Sequence, residues 1–207
     1  MPQFRLSNDR LLEVALQNDK VMALAGSMVA YNGQIKFDKA VLGGESFFGA
    51  LTRRVTGETL QLMTASGTGT AYFANLAREL AILPLRGEKL FVESKSLLAL
   101  DASLKTGTAF AGLRGASSGQ GLFTTTVEGN GTAVVMSFGN LIEFEVSPSA
   151  PLFVDPDAFV AYQGNLTQEF VFDVNWRTFV GQASGESYQL KFSGTGVVYV
   201  QPAERKG

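Results

Sequence analysis

A Gly-x-Gly motif recurs three times along the chain, as Gly67-Thr68-Gly69, Gly129-Asn130-Gly131 and Gly194-Thr195-Gly196, at spacings of 62 and 65 residues. Each copy follows another glycine nine or ten residues upstream: Gly57, Gly119 and Gly185. Residues 57–105 lie on 119–167 without a gap, and 12 of the 49 aligned positions are identical. Chance alone gives about three matches for ordinary composition. A period of this length marks a body assembled from similar structural units and constrains the fold more than any single motif.

The third copy runs out at the C-terminus. It opens at Gly185, reaches Gln201, and lacks the second half that the other two possess. That half has a counterpart near the start. Val21-Met22-Ala23 stands to Val29-Ala30-Tyr31 as Leu90-Phe91-Val92 stands to Leu98-Ala99-Leu100, and as Leu152-Phe153-Val154 stands to Val160-Ala161-Tyr162. One polar residue and a glycine, Gly33 or Gly164, follow the two Val-Ala-Tyr triplets. The expectation is a single domain of three repeats, 57–118, 119–184, and 185–207 completed by 1–37. Residues 1–37 would pair beside 185–201 in a closed, pseudo-threefold body with no free sheet edge.

The 207 residues contain no histidine and no cysteine. Disulfides, Ser-His-Asp and Cys-His catalysis, and the usual zinc sites are thereby removed. With 45% hydrophobic residues a sizeable core is available, and 23 glycines against 6 prolines suit turns and close strand approaches. A net charge of −2 offers nothing to a phosphate backbone, so no nucleic-acid partner is expected. The start, Met1-Pro2-Gln3-Phe4-Arg5, shows no apolar signal region and no apolar run approaches a membrane span. The expected location is the cytoplasm.

Most segments alternate as strands do. Phe170, Phe172, Val174 and Trp176 fall on one face, with Val171, Asp173, Asn175 and Arg177 on the other. Leu141 to Val146 alternates as well, with Glu143 and Glu145 on a solvated face. Residues 75–83 have helical propensity but align on 137–145, which alternates, so a strand is expected there too. The Gly-x-Gly motifs suit tight hairpins or bulges that need a positive φ. A phosphate loop would need a helix and a lysine in register.

Gly26-Ser27-Met28-Val29-Ala30-Tyr31, then Gly43-Gly44-Glu45-Ser46-Phe47-Phe48, then Gly57 and Ser66-Gly67-Thr68-Gly69, together resemble the AIM24 family, also called DUF124. The likeness covers roughly residues 10–200. It implies an all-β fold of three double-stranded β-helix-like modules, similar to the tryptophan RNA-binding attenuation protein. The mitochondrial relative is associated with inner-membrane organisation. The resemblance brings no catalytic or ligand residues with it.

Individual candidates have bland readings. Glu45 suits a surface or capping carboxylate, and Arg53-Arg54 a solvated face rather than an anion site. Asp155-Pro156-Asp157 suits a turn better than a cation loop. Asn165-Leu166-Thr167 marks a turn at Gly164-Asn165. The 16 phenylalanines are chiefly core. The expected role is a non-enzymatic interaction or scaffold protein with no cofactor, metal or catalytic residue. Its partner is another protein or a second copy, with peripheral membrane contact as a further option. Phe47 and Phe48 are the candidate oligomer contact, because adjacent residues of a strand face opposite ways. The alternatives are a small-molecule module with a pocket between repeats, an enzyme using carboxylates alone, and, last, RNA binding by fold analogy.

Overall fold

The structure, a computed structural model, describes residues 1–40, 60–111, 122–172 and 188–203. Gly57, Gly119, Gly185, Trp176, Glu45, Phe47, Phe48 and the Arg53-Arg54 pair lie outside them. The chain is all-β. Its strands are β1 Gln3–Asn8, β2 Leu11–Leu24, β3 Met28–Lys39, β4 Leu62–Phe73, β5 Glu79–Glu93, β6 Leu97–Asp101, β7 Lys105–Ala111, β8 Leu122–Ser137, β9 Ile142–Val146, β10 Leu152–Val154, β11 Phe159–Phe172 and β12 Tyr188–Val200. One 3₁₀ turn, Ser94–Ser96, separates β5 from β6.

Alternation explains which faces are buried, and bulges keep them in phase. On β2 the buried residues are Leu12, Val14 and Leu16, then Val21 and Ala23. The parity changes because the register shifts between Gln17 and Asp19, where Asn18 takes φ 59°. One extra residue at a bulge restores the same face to the core. On β5 the buried Leu83 and Leu85 give way to Leu90 and Val92 across a shift between Arg86 and Lys89. The helical-looking stretch is no helix. Residues 75–78 form a turn with Leu76 at φ 50° and Ala77 at φ 52°, and the strand starts at Glu79. The expected strand over 75–83 therefore holds only from Glu79 onward.

Pairing is antiparallel throughout, and all twelve strands belong to one sheet. β4 pairs with β2 and β3. β8 pairs with β5, β6 and β7. β12 pairs with β9, β10 and β11. Short seams of three residue pairs join these groups: β2 to β6, and β5 to β11. The strand path reads β10-β12-β11-β5-β8-β6-β2-β4-β3.

Among the described residues the sheet is open, which corrects the expected closed body. Residues 1–37 do not pair with 185–201 among the described residues; the N-terminal and C-terminal strands stand at opposite ends of the path. The reason is that β12 already has partners on both sides, all drawn from residues 142–172. The Gly-x-Gly strands β4, β8 and β12 pair with strands that precede them in the chain. A period in sequence carries no phase; hydrogen bonding supplies it.

The glycine motifs take the positive φ expected of them, at Gly67, Gly69, Gly129 and Gly194, and register shifts lie beside the first two motifs, but none of them turns a hairpin. Gly67, Gly69 and Gly194 sit in mid-strand at φ 134°, 150° and 119°. Gly164-Asn165, expected as a turn, lies inside β11 opposite Gly196 and Thr195. Gly33 faces Gly69, and a methyl built on Gly33 would lie 2.7 Å from the Gly69 Cα. Gly164 has the same 2.7 Å relation to Gly196. The corresponding residue in the middle group is Ala102, and there the strand leaves the ladder. β6 ends at Asp101 and β7 starts at Lys105. The detour is held by Asp101 Oδ1, which accepts from Ser103 N at 3.0 Å and Ser103 Oγ at 2.8 Å.

Candidate functional site

Two features of the surface carry chemistry: the strands at the free ends of the sheet, and a cleft where the pairing groups meet.

β3 ends the strand path and, among the described residues, pairs with β4 alone. Its residues 28–34 are exposed on both faces. Among them Val29 is 60% and Tyr31 50% exposed, and the Tyr31 ring rests edge-on to Phe37 at 5.2 Å. The opposite end is β10, flanked along β12 by β9. Glu143 and Glu145 are exposed as expected, but so are Ile142 and Phe144, and Phe153 is 50% exposed. Large apolar side chains on both faces of an end strand have no core to fill. They belong to none of the three core clusters.

The paired counterparts behave differently. At the seam between β5 and β11, Phe91 lies opposite Tyr162. Their rings stack at 4.5 Å with planes 5° apart. Tyr162 is buried, and burial pushes its hydroxyl above the ordinary tyrosine value. Tyr199 is raised in the same way, first by burial and then by the nearby Glu143 carboxylate.

The cleft, ≈ 420 Å³, is lined by Arg10, Arg78, Glu79, Phe138, Gly139 and Pro202. It collects the β1–β2 turn, the link from β4 to β5, the link from β8 to β9, and the tail after β12. Arg78 is only 5% exposed. It donates through Nη1 to Lys95 O (2.6 Å) and through Nη2 to Met136 O (2.8 Å) and Ser96 Oγ (3.2 Å). Its guanidinium lies 4.7 Å from the centre of the Phe138 ring. The buried Gln201 amide fastens the tail, accepting from Phe138 N at 3.1 Å and donating to Asp157 O at 3.0 Å. Arg10 Nη2 meets Glu79 Oε1 at 3.3 Å, while Glu79 Oε2 finds no hydrogen-bond partner among the described residues.

The residues singled out from sequence fare unevenly. Phe47, Phe48, Glu45 and Arg53-Arg54 lie outside the described residues. Asp155-Pro156-Asp157 is a turn, with Asp155 Oδ1 accepting from Asp157 N at 2.8 Å. No cluster of three metal-ligating side chains occurs among the described residues. Arg78 lies in the helical-looking stretch 75–83, where nothing in the local sequence marks it as buried. Tyr31 and Phe153 served only as markers of the repeat. The same Val-Ala-Tyr triplet occurs twice, and among the described residues only the copy at Tyr162 has a strand on its second side.

Comparison with known proteins places this arrangement. The family model described as mitochondrial biogenesis AIM24 matches residues 4–203. An uncharacterised protein of Streptococcus pyogenes serotype M6 is 26% identical over 207 residues, covering 92% of this chain and 80% of its own. A crystal structure of a Streptococcus pyogenes protein from a structural genomics programme superposes with a TM-score of 0.75 at 24% identity. That match covers 99% of this chain and 94% of the other, and it supports the fold.

Proposed function

Because this chain belongs to the AIM24 family, and because its sheet ends in exposed apolar strands, we propose that it is a non-enzymatic interaction protein that presents strand edges to a protein partner. One observation carries the reading: Met28, Val29 and Tyr31 at one end, and Ile142, Phe144 and Phe153 at the other, are exposed on strands that have no outer neighbour among the described residues. An open edge offers a row of backbone donors and acceptors, and apolar side chains beside it add affinity. The absence of His and Cys from the sequence supports a role without acid–base or thiol chemistry. The cytoplasm is the compartment this reading assumes. Native mass spectrometry of the protein purified from its own host tests it. Retention of a protein partner, or of further copies, is the expected result. A bare monomer that turns over a substrate contradicts it.

The cleft favours a second reading, a small-molecule site at the junction of the pairing groups. Its volume falls in the range of ligand pockets. Glu79 Oε2 is an acceptor without a partner among the described residues, suited to an amine or amide donor. A retained small molecule lost in Glu79→Gln would favour this reading over the first.

A further inference from the structure

The two seams inside the chain follow one pairing rule, and the two ends of the sheet carry the segments that correspond in sequence to its two halves. At the first seam Val21, Met22 and Ala23 of β2 lie opposite Asp101, Leu100 and Ala99 of β6. At the second, Leu90, Phe91 and Val92 of β5 lie opposite Gln163, Tyr162 and Ala161 of β11. The sequence sets Leu152-Phe153-Val154 beside the first strand of each seam, and Ala30-Tyr31-Asn32 beside the second. These two segments belong to β10 and β3, the strands at the ends of the path. They are not paired to each other, and Phe153 and Tyr31 are each 50% exposed.

We propose that copies of this chain join edge to edge, β10 of one copy pairing antiparallel with β3 of the next. The register is Leu152 opposite Asn32, Phe153 opposite Tyr31, and Val154 opposite Ala30. Phe153 and Tyr31 then stack as Phe91 and Tyr162 do within the chain. Continued outward, the register sets Asp155 against Val29 and Pro151 against Gly33, so no like charges meet. Proline lacks a donor and ends the ladder there, keeping the seam as short as its internal counterparts. The contact is heterologous, β10 to β3, so it builds a ring or a filament rather than a twofold dimer. The proposal deepens the interaction reading by naming a second copy as the partner, and it rests on that reading.

The chain has no cysteine, so introduced thiols are unique. Residues opposite each other in an antiparallel ladder have Cα atoms about 4.5–5.5 Å apart, which a disulfide can span. Under mild oxidation a mixture of the single variants Tyr31→Cys and Phe153→Cys is expected to give covalent dimers, and neither variant alone should. In sedimentation the wild type is expected to be multimeric. Tyr31→Lys and Phe153→Lys should each reduce it to monomer while keeping the wild-type strand content by circular dichroism, since neither side chain belongs to a core cluster. A monomeric wild type at its highest soluble concentration overturns the proposal. So does a double variant, Tyr31→Cys with Phe153→Cys, that closes a disulfide within one chain. So does a multimer that both lysine variants leave intact. A monomer that still binds a different protein through Tyr31 overturns the pairing of copies and leaves the interaction reading standing; edges that bind nothing overturn both.

Discussion

Gly33 and Ala102 occupy the same place in two of the pairing groups, and the backbone responds to one methyl group. Gly33 keeps its strand continuous at φ 83° with Gly69 pressed against it, whereas at Ala102 the ladder breaks into β6 and β7. Gly33→Ala therefore combines left-handed strain with a backbone clash and should cost at least about 2 kcal/mol. Gly26 shares the positive φ, at 84°, but a methyl there meets nothing within 4 Å. Gly26→Ala should cost only about 1 kcal/mol. Denaturant titration of the two variants side by side checks the difference. Arg78 is the second sensitive residue. Lysine cannot span the three acceptors held by the guanidinium, so Arg78→Lys should lose about 2–3 kcal/mol. A shift of the thermal midpoint of about 5–10 °C is expected for a chain of this size. Tyr162 and Tyr199 set a limit on the alkaline side. Their folded-state values are raised, so their contribution is complete below the ordinary value of 10.0 and is lost as pH rises beyond it. The thermal midpoint should fall above that pH, and Tyr162→Phe with Tyr199→Phe should flatten the fall.

Among the elements, alternation was legible wherever one face meets the core. Leu166 and Phe170 of β11 pack inward as their spacing implies, and Glu143 and Glu145 of β9 face solvent. Alternation failed at the ends, where Ile142, Phe144, Val29 and Tyr31 are apolar without a core beneath them. The failure is informative, because a period of two reports sidedness and an outer strand has none. Bulges were hidden as well: Asn18 looks like any polar residue until the parity of buried positions on β2 changes across it. Its φ of 59° suits asparagine or glycine. Asn18→Gly should be close to neutral and Asn18→Val should cost about 1–2 kcal/mol, read by thermal unfolding.

For the whole molecule, the sequence made the strand content and the recurrence of the glycine motif plain, but neither the phase of the repeat nor the openness of the sheet. Both depend on which edges hydrogen-bond, and residue identity marks that weakly: Tyr162 and Tyr31 stand in identical triplets with opposite exposure. The cleft was illegible for a related reason, since Arg10, Arg78, Phe138 and Pro202 are far apart in sequence and meet only when the links between groups converge. The central claim is that the unpaired ends of this sheet are its interaction surface, with another copy as the partner. Amide hydrogen exchange across a dilution series tests it most directly. The account predicts that those amides of residues 28–32 and 152–154 that point away from β4 and β12 exchange slowly in concentrated protein and become fast on dilution, while those of the central strand β8 stay protected throughout. Equally fast exchange of both end segments at every concentration would contradict it.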